Sequence, residues 1–210
     1  QAFRMPSGFD LCYITDRRAL GSTPLVSHLQ AAVAAGLDLI QLREKDLDTR
    51  KTTYLSIATA EIARKSNTKF VVNDRLDIAI ATHSHGIHLG GRSAPPESVR
   101  KHVDREFLVG VSCHSLEEAL RAEAGEADYI LLGPIFDTPS KRPFGPPLGV
   151  TKLSEVASRI RIPVLALGGI TVEMVRVCLK AGAKGIAGIR LFQEGPPIAD
   201  RVRELRQQFY

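Results

Sequence analysis

Short apolar runs punctuate the chain, each closing on polar residues or glycine and followed by a stretch with helical spacing. Eight stand out: Leu11–Ile14, Leu39–Leu42, Phe70–Val72, Gly86–Leu89, Leu108–Val111, Tyr129–Leu132, Pro163–Leu167 and Gly185–Gly188. They are short and β-branched or leucine-rich, which suits strands buried on both faces. Helical patterns fill the gaps. Pro24–Ala35 places Leu25, Leu29, Ala32 and Val33 near the 3.6-residue period, and Gly36 stops it. Thr53–Ala63 and Val99–Val103 are weaker patterns. Ser115–Ala124 opens with Ser115 three residues before Glu118, the spacing of a capping box. Leu153–Ile160, Thr171–Ala181 and Ile198–Phe209 complete the set, and Asp74 to Ser84 leaves room for only a short helix.

Eight strand–helix units have two main solutions, a closed (β/α)8 barrel or an open doubly wound sheet. The open sheet calls for a glycine-rich dinucleotide fingerprint after its first strand. Here Ile14 is followed by Thr-Asp-Arg-Arg, and GxxxxGK[ST] occurs nowhere. The unusual polar residues sit instead where strands end, which is where a barrel keeps its active site. The pattern therefore predicts an α/β chain forming a single (β/α)8 TIM barrel over residues 1–210, with no linker and no repeat plain to the eye.

Composition narrows the function. The chain is 44% hydrophobic and 24% charged, which is ordinary for a globular protein. Its net charge of +5 comes from 28 Lys+Arg against 23 Asp+Glu. These cations are scattered among acids and Trp is absent, so nucleic acid is not the expected partner. A few cations gathered around a small anionic substrate explain the surplus equally well. No apolar run approaches the roughly 20 residues of a membrane span, and Gln1 to Asp10 has no secretory-type apolar core. Cys12, Cys113 and Cys178 are odd in number and far apart, so neither a disulfide framework nor a zinc site is expected. That usage fits a reducing compartment, and a cytoplasmic location is expected.

The chemistry lies at the strand ends. After the second strand, alternation in Gln41-Leu42-Arg43-Glu44-Lys45 sends Gln41, Arg43 and Lys45 to one side and Leu42 and Glu44 to the other. Charge runs are usually solvated, but Arg43 directly follows a buried run where an unpaired cation would be costly. An anion site is the better reading. Asn73-Asp74 follows the third strand, where Asp74 is either a helix cap or a ligand for a hard cation. His88-Leu89-Gly90-Gly91 ends the fourth strand, its glycines allowing close approach. Ser112-Cys113-His114-Ser115 ends the fifth. Ser112 is placed to donate to phosphate, His114 is more often structural than catalytic, and a thiol mechanism at Cys113 is disfavoured. After the sixth strand, Thr138, Ser140 and Lys141 make a short anion-binding loop around Pro139. Arg142–Gly149 has the composition of a mobile or extended flap. Gly168-Gly169 and Gly188-Ile189-Arg190 close the seventh and eighth strands, the usual phosphate cradle of this fold.

Taken in order, these motifs resemble the thiamine phosphate synthase family. The match runs from Tyr13-Ile14-Thr15-Asp16 through QLREK (Gln41–Lys45), VND (Val72–Asp74), HLG (His88–Gly90), GVSCHS (Gly110–Ser115) and GPIF-x-T-x-S-K (Gly133–Lys141) to GGI (Gly168–Ile170). The resemblance implies a barrel enzyme that joins 4-amino-2-methyl-5-hydroxymethylpyrimidine diphosphate to a thiazole phosphate, releasing pyrophosphate. It places the pyrimidine-diphosphate contacts on Gln41, Leu42, Arg43, Glu44, Lys45, Asn73, Ser112 and Lys141, with Arg43, Lys45 and Lys141 stabilising the leaving group. Thiazole-phosphate contacts fall on Thr138, Pro139, Ser140, Gly169 and the Ile189-Arg190 pair, and His114 lines the same site. It implies Mg²⁺ as cofactor, with Asp74 as its ligand. The expected partners are small molecules, with no nucleic acid or membrane, and a homo-oligomer is compatible with the sequence. Two positions depart from the family pattern: Ser93 replaces a second magnesium aspartate, and Arg190 replaces a serine. A sister branch, the thiazole tautomerases, uses a histidine at the position of His114. A barrel that binds thiamine-related phosphates without turnover is the third reading.

Overall fold

A computed structural model describes residues 9–138 and 145–210. Eight parallel strands close into a barrel in sequential order. They are β1 (Leu11–Ile14), β2 (Leu39–Leu42), β3 (Lys69–Asn73), β4 (Gly86–Leu89), β5 (Leu108–Cys113), β6 (Tyr129–Leu132), β7 (Val164–Leu167) and β8 (Gly185–Gly188). β8 returns to β1 through Leu11 opposite Ile186 and Tyr13 opposite Gly188, so no edge is left open. The helices are α1 (Leu25–Ala34), α2 (Thr49–Ala63), α3 (Leu76–Ala81), α4 (Pro96–Arg100), α5 (Leu116–Ala124), α6 (Gly149–Arg159), α7 (Val175–Lys180), α8 (Arg190–Gln193) and α9 (Ile198–Arg206).

The period of two divides the strand residues between two cores. Cys12, Ile14, Leu39, Val71, Leu108, Tyr129, Leu131, Leu165 and Ala187 pack together inside the barrel. Leu11, Tyr13, Ile40, Leu42, Phe70, Val72, Ile130, Leu132 and Ile186 join the helices outside it. This explains why the runs read as continuously apolar.

Helix starts moved where caps decided them. α2 begins four residues before the predicted start because the Asp48 carboxylate accepts the Lys51 amide at 2.8 Å. α4 lies at Pro96–Arg100 rather than Val99–Val103, with proline in its first turn. The Thr171–Ala181 pattern splits into a 3-10 turn, Val172–Met174, and α7. A 3-10 turn at Arg17–Leu20 and α8 were not predicted. The Ser115 cap is present, its hydroxyl accepting the Glu118 amide at 3.1 Å.

The N-terminal end of the barrel carries a repeat hidden by residue type. The residue just before each of β2, β4 and β6 accepts an amide from the start of the preceding strand. Asp38 Oδ2 takes the amides of Asp10 and Leu11 at 3.1 and 2.9 Å. His85 Nδ1 takes that of Phe70 at 3.1 Å, and Asp128 Oδ2 that of Val109 at 2.7 Å. Arg206 then bridges Asp10 and Asp38 at 2.9 and 2.7 Å, and Arg100 pairs with Asp128.

Candidate active site

At the other end, β1 and β2 continue their pairing past the strands through the Thr15 amide and the Gln41 carbonyl, 3.0 Å apart. The hydroxyl of fully buried Thr15 accepts the Arg43 amide at 3.0 Å. This fixes the backbone so that Gln41 and Arg43 continue the interior face begun by Leu39. Gln41 is 1% exposed, and its Nε2 has no hydrogen-bond partner among the described residues. A buried donor left so costs about 1–3 kcal/mol. The guanidinium of half-buried Arg43 makes no hydrogen bond or ion pair among the described residues. Donors held without acceptors at a barrel mouth are what a bound anion would satisfy.

The alternation that aims Gln41 and Arg43 inward turns their neighbours away. Leu42 packs in the outer core, so its side chain is turned away from the mouth. Glu44 is buried, and its carboxylate accepts the Arg17 amide at 3.0 and 3.2 Å and the Arg17 guanidinium at 3.1 Å. Arg17 also forms a fork with Asp46, at 2.7 and 2.5 Å, and this holds the Asp46 carboxyl well below the usual carboxylate range. Glu44 therefore fastens the loop after β1 onto the loop after β2, rather than presenting its carboxylate as a substrate contact. Lys45 lies exposed on the latter loop.

Asn73 ends β3 on the interior side, next to His88 in register. Asp74 follows with φ of 64°, in the left-handed region, its amide bound to the His88 carbonyl at 2.9 Å. The helix-cap reading of Asp74 is overturned: Arg75 occupies the cap position of α3, and no side chain caps that helix. The Asp74 carboxylate is exposed and makes no hydrogen bond among the described residues. Ser93 does not stand in for a second carboxylate. Its hydroxyl is taken by the Gly90 amide at 2.8 Å, closing the turn after β4.

Ser112 on β5 faces the interior, with its hydroxyl 2.8 Å from His88 Nε2. His88 is fully buried, and burial, aided by the Arg43 charge, pushes its imidazole down to about 3. His114 is exposed, and its Nδ1 lies 2.6 Å from the Gly133 carbonyl. A carbonyl only accepts, so Nδ1 carries a proton, and Nε2 has no hydrogen-bond partner among the described residues. Cys113 points into the outer core, where burial pushes its thiol up to about 12, which removes a thiolate mechanism.

The segment after β6 runs beside β7, with the Ile135 amide on the Leu167 carbonyl at 2.8 Å and the Phe136 amide on the Gly168 carbonyl at 3.0 Å. Gly169, with φ of 65°, touches this segment so closely that a Cβ there would meet the Phe136 backbone at 2.8 Å. Gly169 and half-buried Thr138 thus lie on one rim. Pro139, Ser140 and Lys141 lie outside the described residues, as do residues 142–144 of the Arg142–Gly149 flap. The far end of that loop is tied back by the Leu148 and Gly149 amides, on the carbonyls of Pro134 and Ile135 at 2.8 and 3.0 Å. Ile189 packs against the interior cluster. Arg190 opens α8 with its side chain exposed and bound to Glu194 at 2.6 Å.

Among the described residues no three His, Cys, Asp or Glu side chains gather as a metal cage. One exposed carboxylate beside unpaired donors instead fits a hard cation that takes its remaining ligands from water and a bound phosphate.

The thiamine monophosphate synthase family matches residues 11–192. The chain belongs to that family. It is 40% identical over 185 residues to the thiamine-phosphate synthase of Roseiflexus castenholzii (strain DSM 13941 / HLO8), covering 88% of this chain and 81% of the relative. It is 37% identical over 201 residues to the thiamine-phosphate synthase of Methanoculleus marisnigri (strain ATCC 35101 / DSM 1498 / JR1), covering 96% and 95%. The solved structure of thiamine phosphate pyrophosphorylase from Pyrococcus furiosus superposes with a TM-score of 0.85 at 34% identity over 95% of each chain. The barrel is thus the fold of a solved thiamine phosphate pyrophosphorylase. Among the described residues no helix is long and apolar enough to cross a membrane.

Sequence reasoning missed Thr15 and Arg17 as builders of the site. Both follow β1, and their partners lie 27 and 28 residues away, on the loop after β2. The parallel pairing of β1 with β2 brings them together.

Proposed function

We propose that this chain, a transferase of its family, couples 4-amino-2-methyl-5-hydroxymethylpyrimidine diphosphate with a thiazole phosphate to give thiamine phosphate and pyrophosphate. The observation that carries the reading is the pair of donors left without partners among the described residues, Gln41 Nε2 and the Arg43 guanidinium, at the same barrel mouth as the Asp74 carboxylate, which caps no helix. Arg43 and Ser112 face the diphosphate, Lys45 and Lys141 add positive charge for it, and Asn73 and Gln41 orient the pyrimidine end. Thr138, Ser140 and the Gly169 backbone take the thiazole phosphate.

The reaction asks for charge stabilisation more than proton transfer. The bond from the pyrimidine methylene to the diphosphate oxygen breaks, and the electron pair leaves with pyrophosphate. The resulting resonance-stabilised cation is captured by the thiazole nitrogen lone pair. Fixed cations aimed at the departing oxygens act where charge grows, and each such donor is worth about 10²–10³ in rate. Mg²⁺, held by Asp74 and the diphosphate, would add positive charge against the same leaving group. With Ser93 engaged by Gly90, the protein alone offers that ion one carboxylate. Calorimetry is expected to detect no appreciable Mg²⁺ binding without substrate, and excess chelator is expected to stop turnover.

His114 supports a second reading. Its Nδ1 is committed to Gly133, so Nε2, without a partner among the described residues, is the nitrogen that could move a proton, as a thiazole tautomerase requires. The two are separated by measuring pyrophosphate release from the pyrimidine diphosphate, with and without thiazole phosphate, in parallel with thiazole isomerisation. Thiazole-dependent release supports the synthase. Isomerisation without release would replace it.

A further inference from the structure

We propose that Tyr129 and His88 are positioning residues that hold Ser112 as an obligate hydrogen-bond donor toward the diphosphate. The proposal rests on the reaction above for the identity of the anion, and on the geometry of three adjacent strands for everything else.

His88 projects from β4 into the barrel with both ring nitrogens engaged. Nδ1 lies 3.2 Å from the Tyr129 phenol oxygen on β6, and Nε2 lies 2.8 Å from Ser112 Oγ on β5. The Tyr129 and His88 side chains meet across the position of Gly110, which makes room for them. A Cβ there would overlap the Tyr129 ring and stand 2.6 Å from His88 Nδ1. No other residue type fits between His88 and Tyr129 at that point in the strand.

The direction of the chain follows from counting protons. The Tyr129 phenol is completely buried, and its only hydrogen-bond partner among the described residues is His88 Nδ1. A neutral imidazole has one N–H and one acceptor nitrogen. If Nδ1 carried the proton and donated to the phenol, the phenol O–H would be a buried donor without an acceptor, a costly state. The phenol therefore donates to Nδ1. Nε2 then carries the ring proton and donates to Ser112 Oγ. Ser112 receives a hydrogen bond from below, so its own O–H points elsewhere. Ser112 has no other hydrogen-bond partner among the described residues and sits at the partly exposed end of β5, on the face it shares with Gly110.

A free serine hydroxyl can either donate or accept. One already accepting from Nε2–H is biased to donate, and its O–H is polarised by the chain behind it. That suits an acceptor-rich phosphate oxygen. It disfavours a ligand that offers a donor at the same point, so the relay selects for the anion as well as binding it.

Nitrogen-15 NMR of the histidines in the wild-type protein reads the direction without a variant. Protonated Nε2 and unprotonated Nδ1 at His88 are expected, and a proton on Nδ1 overturns the proposal. Calorimetry with inorganic pyrophosphate and Mg²⁺ then tests the consequence without requiring turnover. In Tyr129→Phe, Nδ1 loses its donor and the ring is free to take the other tautomer, so Ser112 can turn its proton back to Nε2. Pyrophosphate binding should weaken about tenfold, the scale of one hydrogen bond to a charged group. Ser112→Ala should weaken it about as much, and the double variant no further. Melting curves establish that the variants are folded, and the KM for thiazole phosphate should be unmoved in Tyr129→Phe. Independent, additive losses overturn the proposal, as does a wild type that binds no pyrophosphate. A chain that meets both expectations but releases no pyrophosphate from the pyrimidine diphosphate would refute the reaction alone.

Discussion

At the N-terminal end of the barrel Arg206 meets Asp10 and Asp38, Arg100 meets Asp128, and the carboxylates of Asp38 and Asp128 accept amides of adjoining strands. At the C-terminal end Arg43 and Gln41 Nε2 are held against the interior with no acceptor among the described residues, and Asp74 adopts a left-handed φ without capping the helix that follows. The same scaffold places polar groups at both ends of its strands, yet only at the C-terminal end are inward-facing donors left without partners among the described residues. The closed networks contribute stability. The open set is held in place by Thr15, Arg17 and Glu44, which are themselves satisfied, and is left to be completed by a ligand. This is the division of labour expected of the two faces of a barrel.

The comparison can be broken from either end. The largest effect is expected at the mouth: Arg43→Ala should lower kcat/KM by about 10²–10³-fold, as for loss of one preorganised donor. Denaturation should show stability unchanged within about 0.5 kcal/mol, because no partner is lost. A large loss of stability would mean that Arg43 belongs to a closed network after all. The converse variant is Asp38→Ala at the other end. It strands two amides and removes one of the two carboxylates that hold Arg206, and should cost about 3 kcal/mol of stability, leaving KM values unchanged in the folded protein.

Acid sharpens the contrast next. The His88 imidazole is pushed down to about 3 when folded but titrates near about 6.5 in an unfolded chain. Between those values the unfolded state binds the extra proton, so stability is full above about pH 6.5 and falls as the pH drops below it. One such group contributes a slope of about 1.4 kcal/mol per pH unit, or about 2 kcal/mol between pH 6.5 and 5. Burial also lowers His28 and His85, and their contributions have the same sign. Urea titrations at pH 7 and 5 on wild type and His88→Asn isolate the His88 share. An identical acid slope in the two would contradict it. The smallest effect is expected at Arg190, whose exposed guanidinium is already bound to Glu194. Arg190→Ser should shift the KM for thiazole phosphate by less than about threefold, since exposed charge pairs are worth about 0–1 kcal/mol.

The barrel was legible because each strand is short and buried on both faces, so eight apolar runs survive as eight strands, five with unchanged boundaries. Helix starts were less legible at Asp48 and Pro96, where a cap or a proline overrode weak periodicity. At the site, alternation in Gln41–Lys45 assigned Gln41 and Arg43 to the interior and turned Leu42 and Glu44 away. The family resemblance, which made all five substrate contacts, did not distinguish a side chain that touches a ligand from one that braces the loop. The relay through Tyr129, His88 and Ser112 was invisible for a different reason. Its members lie on three strands, 17 to 41 residues apart, and look like an ordinary aromatic, histidine and serine until the barrel register sets them side by side. Gly110 carried a signal, but a glycine inside a strand reads only as a close approach of something unknown.

The central claim is that the mouth is an incomplete network awaiting a diphosphate, and thermal unfolding with inorganic pyrophosphate and Mg²⁺ tests it without depending on turnover. A ligand that binds only the folded state at a hundredfold excess over its Kd stabilises by about 2.7 kcal/mol. The account predicts a rise in Tm of the wild type with pyrophosphate plus Mg²⁺, a much smaller rise with either alone, and near loss of the effect in Arg43→Ala. An equal rise in wild type and variant, or none in the wild type, would contradict it.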